Sequence, residues 1–384
     1  MNKHWLTLTS ASLAAVVVGF ASTVLVVMEG MRAVGATMAQ QASSAAVLCF
    51  AMAATSFVLA VRYKQPIMVA WSTPGAALMA TSAISITYPQ AIGAFIFAGA
   101  LMVLTAFIQP LAKAISKIPP AIAAAMLAGV LLRFVLGVPP ATLEMPIFVV
   151  PLVIAFFLLR LLVPMYTVPV VVLLGLLFAG FSGGLSSAVH LGITPLELVW
   201  PEWNLQVLIG LGIPLYLVTM ASQNLPGFAV LKAHGYEPPV AACLGVTGLG
   251  SILTAPFGTH AINMAAITAA LVAGPDAHPD PKQRWKMIYP YTLIYVIFGL
   301  AAGTFVTLLS TMPKPLVTAV AGLALFAPLM GGMGSMVKDP KDVEAALVTF
   351  LVTASGISIW DVGAAFWGLL AGLFVWGAKR ILIV

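Results

Sequence analysis

The chain has 384 residues, of which 61% are apolar and 7% charged, and its mean hydropathy is +1.09. Soluble domains carry roughly 25% charged residues, so this composition excludes a soluble enzyme, a disordered chain and a nucleic-acid binder and makes lipid the main solvent. The net charge of +6 is then an orientation signal, and the length leaves room for roughly 12 to 15 spans of about 20 residues.

Fourteen apolar segments are predicted. The first seven cover 5–28, 43–61, 67–85, 89–109, 119–137, 145–163 and 165–182. The second seven cover 205–222, 238–253, 254–273, 287–311, 313–332, 342–357 and 360–378. Segment 1 has too long an apolar stretch for a cleaved signal peptide, and the chain after it is membrane-bound as well. Cys49, in segment 2, and Cys243, in segment 9, lie in apolar runs and are expected to be small buried hydrophobes. They suggest no disulfide or metal framework.

Segment 3 is interrupted by Trp71-Ser72-Thr73-Pro74-Gly75. Pro removes a backbone donor and disfavours helix at the residue before it, and Gly tolerates the bend that follows. A short extended piece followed by a half-helix is expected. Residues 110–117, after segment 4, are too few to span and suit an interfacial stretch. Segment 8 ends in Ser222-Gln223-Asn224-Leu225-Pro226-Gly227. The amides of Gln223 and Asn224 either cap a helix that Pro226 and Gly227 end near the interface, or donate to a substrate carboxylate.

Segment 10 carries a second interruption, Pro256-Phe257-Gly258-Thr259-His260, with Asn263 three residues on. A half-helix is expected to start just after Pro256, with His260 one turn in and Asn263 on the same face. Broken spans at matching places in two halves are the best sequence pointer to a transporter's binding site, because irregular backbone at membrane depth must line a cavity or be covered by protein. Two half-helix N-termini facing each other would attract an anion. His260 is the one histidine inside a predicted span. It suits either proton coupling or a structural bond between helices. Phe20, Tyr216, Trp71 and Phe257 are the aromatics near the breaks, where a substrate ring could stack. The loop 274–284 is turn-rich and cytoplasmic. Glu29, Glu344 and Asp361 lie at segment ends, and no carboxylate sits mid-span.

With the N-terminus inside, 14 of the 17 basic residues fall in cytoplasmic loops, and Arg32, Arg133 and Lys314 alone fall outside. That bias supports an even count with both termini cytoplasmic. No catalytic dyad, metal cluster or nucleotide loop is present, which argues against an enzyme.

Three stretches carry a resemblance: Ala70-Trp71-Ser72-Thr73-Pro74-Gly75-Ala76-Ala77, Met220-Ala221-Ser222-Gln223-Asn224-Leu225-Pro226-Gly227-Phe228, and Ala255-Pro256-Phe257-Gly258-Thr259-His260-Ala261-Ile262-Asn263. In them, and over essentially its whole length, the chain resembles the benzoate/proton symporter family of benzoate membrane transport proteins. That family in turn looks like the uracil/xanthine permease fold. The resemblance implies an all-α polytopic membrane protein of 14 transmembrane segments in seven-plus-seven inverted repeats, with spans 3 and 10 broken. It implies a core in two parts, 1–109 and 205–312, and a gate in two parts, 110–204 and 313–384. Segment 1, with Gly19-Phe20-Ala21-Ser22-Thr23, is similar to that fold's first core span. Nucleobase permeases have glutamates on spans 8 and 10, where this chain has Gln223 or Asn224 and Ile262 beside Asn263. The loss fits an anionic substrate.

The expected function is import of benzoate or a related aromatic carboxylate with protons across the bacterial inner membrane, by alternating access. The alternative is a same-fold permease for a nucleobase or another small anion; a channel is the other rival. The expected binding residues are Phe20, Trp71, Ser72, Thr73, Gly75, Gln223, Asn224, Phe257, Gly258, Thr259, His260 and Asn263, with His260 in proton coupling. Expected partners are the carboxylate, protons and the bilayer, with a homodimer left open and no nucleic acid. No cofactor or metal is implied.

Overall fold

The computed structural model describes residues 3–81, 86–108, 110, 118–164, 166–181, 192–275, 277–359 and 362–382. Four long or short apolar helices flank the first break: α1 (Lys3–Ala33), α2 (Met38–Tyr63), α3 (Thr73–Thr81) and α4 (Tyr88–Phe107), with strand β1 (Val69–Trp71) before α3. Then come α5 (Pro120–Val135), α6 (Val138–Glu144), α7 (Pro146–Leu162) and α8 (Thr167–Phe181). The second half opens with α9 (Leu205–Ala233) and α10 (Val240–Thr254), followed by strand β2 (Ile262–Met264) and α11 (Ile267–Ala273). It continues through α12 (Ile288–Leu300), α13 (Ala302–Ser310), α14 (Lys314–Met336), α15 (Val343–Ser355), the two-residue strands β3 (Ser358–Ile359) and β4 (Val362–Gly363), and α16 (Ala364–Leu382).

Among the described residues, seven helices are long and apolar enough to cross a membrane, or eight if the pair bent by 55° at α12–α13 is one span. The shorter apolar helices α7, α8 and α15 add to these. The molecule is thus a mostly helical polytopic membrane protein. Cys49 and Cys243 are free and buried, as their apolar runs predict.

The chain is not wholly helical. β1 and β2 pair antiparallel, with Val69 opposite Met264 and Trp71 opposite Ile262, and β3 pairs with β4. A two-stranded ribbon leaves edge groups unpaired, which is costly away from water. Helices around the ribbon supply the missing partners. Ser56 of α2 accepts from the Val69 N–H (2.9 Å), and Tyr291 of α12 donates to the Val69 carbonyl (3.0 Å). Ser251 of α10 accepts from the Ile262 N–H (3.0 Å), and Asn224 of α9 accepts from the Met264 N–H (2.9 Å). Beyond the ladder ends, Ser72 N–H donates to Ala261 (3.0 Å) and Ala265 N–H to Met68 (2.9 Å).

Two sequence expectations are corrected here. Pro226 and Gly227 do not end the helix of segment 8, which runs on to Ala233. A wide π-turn over Met220–Asn224 precedes Pro226, and another over Leu208–Gly212 precedes Pro214. Each lets the following amide reach five residues back, Ile213 to Leu208 and Leu225 to Met220. The extra residue relieves the clash that Pro otherwise makes with the turn before it, so both prolines stay inside a continuous helix.

The second correction concerns the Pro256-Gly258 break. It closes α10 rather than opening the half-helix. Gly258 has φ +102°, and its N–H bonds to the Ala255 carbonyl at 2.7 Å. The half-helix α11 starts only at Ile267, after β2. His260 and Asn263 therefore sit on extended backbone, not one helical turn apart. Segment 3 behaves as expected, with Pro74 in the first turn of α3. The end of α11 is held by Arg284, whose guanidinium donates to the Ala273 carbonyl (2.6 Å) and the His278 carbonyl (2.8 Å), a cation where helix carbonyls lack partners. Residues 111–117 and Asp361, expected at the interface, lie outside the described residues.

A Cβ at Gly258 would lie 2.6 Å from the Tyr88 hydroxyl and 2.8 Å from the Ser44 Cβ, on a backbone that L residues rarely adopt. Gly258→Ala should therefore lower the thermal midpoint of the detergent-solubilised protein. Gly245→Ala, whose nearest contact would be the Ala106 Cβ at 3.9 Å, should leave it in place. Equal midpoints for the two variants would contradict this role for Gly258.

Candidate functional site

A cavity of about 610 Å³ lies where β1 meets α3, bounded by α1, α5, α9 and α14. Its described lining holds no charged side chain, and its polar members are Thr23, Thr73, Ser222, Gln223 and Ser335. The rest is Ala, Leu, Ile, Pro and Gly, including Ala266 just before α11. This combination, an apolar slot with a few convergent polar groups, is the usual make-up of a small-molecule site.

The start of α3 can be accounted for donor by donor. A helix leaves its first N–H groups without intrahelical partners. The Ser72 N–H donates to Ala261, and the Gly75 N–H donates to Ser72 Oγ at 3.1 Å. Pro74 has no N–H. The Ala76 N–H closes the first turn on the Ser72 carbonyl at 2.8 Å. The Thr73 N–H is the one left, with no protein acceptor among the described residues, and Thr73 lines the cavity. The helix end thus offers a single amide and its partial positive charge at the cavity wall.

The side chains around that amide are locked. Ser72 Oγ also pairs with Thr219 Oγ1 at 2.8 Å. Gly75 is required by close packing, because a Cβ there would lie 2.5 Å from Leu215 Cδ1. Trp71 Nε1–H donates to Thr23 Oγ1 (2.7 Å), and Thr23 in turn donates to the Gly19 carbonyl (2.9 Å). Trp71 is buried against Phe20, ring centroids 5.5 Å apart, and Phe20 packs edge-on to Phe298 at 5.0 Å. Phe20 and Trp71 are therefore a buried prop behind Thr23, and Thr23 is the member of that group on the cavity.

Gln223 and Asn224 part company. Within the π-turn Gln223 faces the cavity, and its carboxamide has no protein partner among the described residues. Asn224 points the other way, fully buried, accepting from Met264 N–H and approaching Met220 Sδ at 3.3 Å. Asn263 is likewise buried. With its carboxamide oxygen toward Ser72, it accepts from that N–H at 3.1 Å and donates to the Met264 carbonyl at 3.0 Å.

His260 is fully buried, with Nε2 donating to the Ser72 carbonyl at 2.9 Å. A donor to a carbonyl must carry the proton, so the neutral ring has its lone pair on Nδ1, which has no partner among the described residues. The buried Thr259 hydroxyl is in the same position. Phe257 and Gly258 stand apart, their carbonyls accepting from Ser43 (3.2 Å) and Ser44 (2.8 Å) at the end of α10. Of the twelve predicted residues, Thr73 and Gln223 line the cavity directly, and Ser72, Gly75, Trp71, Phe20, Asn224, His260 and Asn263 brace it from behind. Ser222 and Thr23 were not predicted. Ser222 Oγ is buried without a protein partner. An adjacent polar pair at Ser222-Gln223 was the available signal.

Asn224→Ala should leave the Met264 N–H without an acceptor, a loss of about 1–3 kcal/mol, and lower the thermal midpoint. Gln223→Ala should leave the midpoint close to that of the parent. Equal drops would refute the division between them.

Comparison with known proteins places the chain. A family model described as benzoate membrane transport protein matches residues 3–377. An inner membrane protein, YdcO, of Escherichia coli K12 is 35% identical over 364 residues, 94% of this chain and 93% of that protein. A benzoate membrane transport protein of Acinetobacter baylyi is 31% identical over 378 residues, 98% of this chain and 96% of that one. Among solved structures, the transmembrane domain of the cyanobacterial bicarbonate transporter BicA aligns with TM-score 0.66 at 13% identity, covering 97% of this chain and 98% of the domain. The murine Solute Carrier 26 family member A9 anion transporter aligns with TM-score 0.62 at 14% identity, covering all of this chain (100%) and 69% of that one. At such identities the structural likeness speaks for the fold alone, and it is to anion transporters that the alignment runs. The chain belongs to the benzoate membrane transport protein family and is a membrane transporter, not an enzyme.

Proposed function

We propose that the chain imports benzoate or a related aromatic carboxylate together with protons, moving a core against a gate in alternating access. The observation that carries this reading is the unmatched Thr73 amide at the wall of an uncharged cavity of about 610 Å³. A carboxylate needs donors without a competing negative charge. Thr73 N–H, the Gln223 amide and the hydroxyls of Thr23 and Ser222 supply them, and the apolar remainder of the lining accepts a ring. The relative from Acinetobacter baylyi, named for benzoate, supports the choice of cargo.

The proposed architecture is fourteen spans as two inverted repeats, β1–α3 and β2–α11 being the broken third and tenth. Residues 1–109 and 205–312 form the core, as in uracil/xanthine permeases, and 110–204 and 313–384 the gate. One internal correspondence supports the repeat. Ser56, from the second span, holds the first residue of β1, and Ser251, from the ninth, holds the first residue of β2. The cavity falls between the proposed core and gate, with α5 and α14 on its far wall. The proposed setting is the inner membrane with both termini cytoplasmic, as the bias of basic residues directs.

Labelled benzoate should accumulate in cells expressing the protein, be displaced by unlabelled benzoate, and be lost with an uncoupler. Displacement by uracil or sulfate in place of benzoate would refute the cargo, and accumulation that an uncoupler leaves untouched would refute proton coupling. Gln223→Ala should raise the KM for benzoate about tenfold, the loss of one hydrogen bond to a charged group.

For proton transfer, we assign the proton to His260 Nδ1, since Nε2 is engaged. His260→Gln can keep a donor toward Ser72 and removes the titrating ring. Uptake by that variant should lose its dependence on pH between about 5 and 8. An unchanged pH profile would make His260 a brace and nothing more.

A further inference from the structure

A second cavity, of about 630 Å³, lies on the same seam as the first and at its other end. Each of four helices contributes to both. α1 gives Thr23 to the first and Arg32 to the second, α3 gives Thr73 and Ala80, α5 gives Leu131 and Arg133, and α14 gives Ser335 and Lys314. Between them the seam is closed by buried residues, among them Leu78 of α3 and Leu325 of α14.

The two cavities differ in charge. The second is lined by three cations, Arg32, Arg133 and Lys314, against the single carboxylate of Glu29. Glu29 lies 3.5 Å from Arg32. Arg133 is anchored over the end of α15, where a Cβ on Gly356 (φ +68°) would lie 2.6 Å from its Nη1. These three are also the basic residues that the sequence assigns to the outer side, out of 17 in the chain. A side of the protein nearly stripped of basic residues has kept three, and all three line one cleft. Chance scatter around the outer rim would not collect them at the mouth of the seam, and positive-inside selection works against keeping them.

We propose that this cleft is a second binding site, for small organic anions, in which Arg133 and Lys314 concentrate a carboxylate before it enters the seam. A concave, low-dielectric mouth with one sign of charge focuses the field and raises local anion concentration. The site rests on the proposed function only for the identity of its cargo.

The test uses the full chain in membrane vesicles with Met38→Cys, an exposed residue lining the cleft. Cys49 and Cys243, both buried, are not expected to compete. The new thiol is labelled with a sulfonate-bearing thiosulfonate and, separately, with its trimethylammonium counterpart. The ratio of anionic to cationic rates should exceed that of a free thiol in solution by about tenfold. It should return to the solution value when Arg133→Gln and Lys314→Gln are added, and fall in about 0.5 M salt. Millimolar benzoate should slow the anionic reagent. A ratio equal to that in solution, a ratio the two added substitutions leave unchanged, or no protection by benzoate would each overturn the site. A protein whose cleft is protected by benzoate but that accumulates none would overturn the proposed cargo and leave the cleft standing. One that accumulates benzoate without protection would do the reverse.

Discussion

Backbone that leaves helix inside a bilayer must find every hydrogen-bond partner within the protein. The β1–β2 ribbon is where this chain meets that demand, and the surrounding architecture follows from how it is met. Seven residue pairs along three strand positions cannot satisfy a ribbon with two free edges, so side chains from α2, α9, α10 and α12 reach in. Ser56, Asn224, Ser251 and Tyr291 fix those four helices against one small element. Their removal would leave a buried amide or carbonyl unpaired, which costs more than the net worth of the bond itself.

The same accounting creates the site. Once Ser72 has satisfied Gly75 with its hydroxyl and Ala76 with its carbonyl, and Pro74 has removed a donor outright, one amide is left over at Thr73. His260 and Asn263 then hold Ser72 itself, from the opposite strand. The polar residues near the break are mostly spent on keeping the ribbon in place, and few face the cavity. Such a division explains how an uncharged pocket can present a well-defined donor without a lysine or arginine in it.

Much of this was legible in the sequence, in unequal measure. The run Ser72-Thr73-Pro74-Gly75 carries its meaning locally, through proline's missing donor and a hydroxyl at the cap, and the structure agrees. Pro256-Gly258 uses the same residue types to opposite effect, ending α10, because a left-handed glycine stops a helix as readily as a proline starts one. Only the length of chain down to Ile267 tells the two apart. The separation of Gln223 from Asn224 was hidden as well. Adjacent residues on a helix point about 100° apart, and which of them meets the cavity depends on the π-turn, a feature of hydrogen-bond register that composition does not record.

The two π-turns of α9 carry a consequence of their own. Each is in effect one residue more than an α-helix of the same rise would hold. Deleting a single residue within Leu208–Gly212 would restore plain helical register and rotate everything after it by about 100°. Gln223 would swing away from the cavity with its identity intact. Residue number along this helix, as much as residue type, therefore decides which chemistry the cavity sees, and a gap of one position in an aligned relative would matter more than most substitutions.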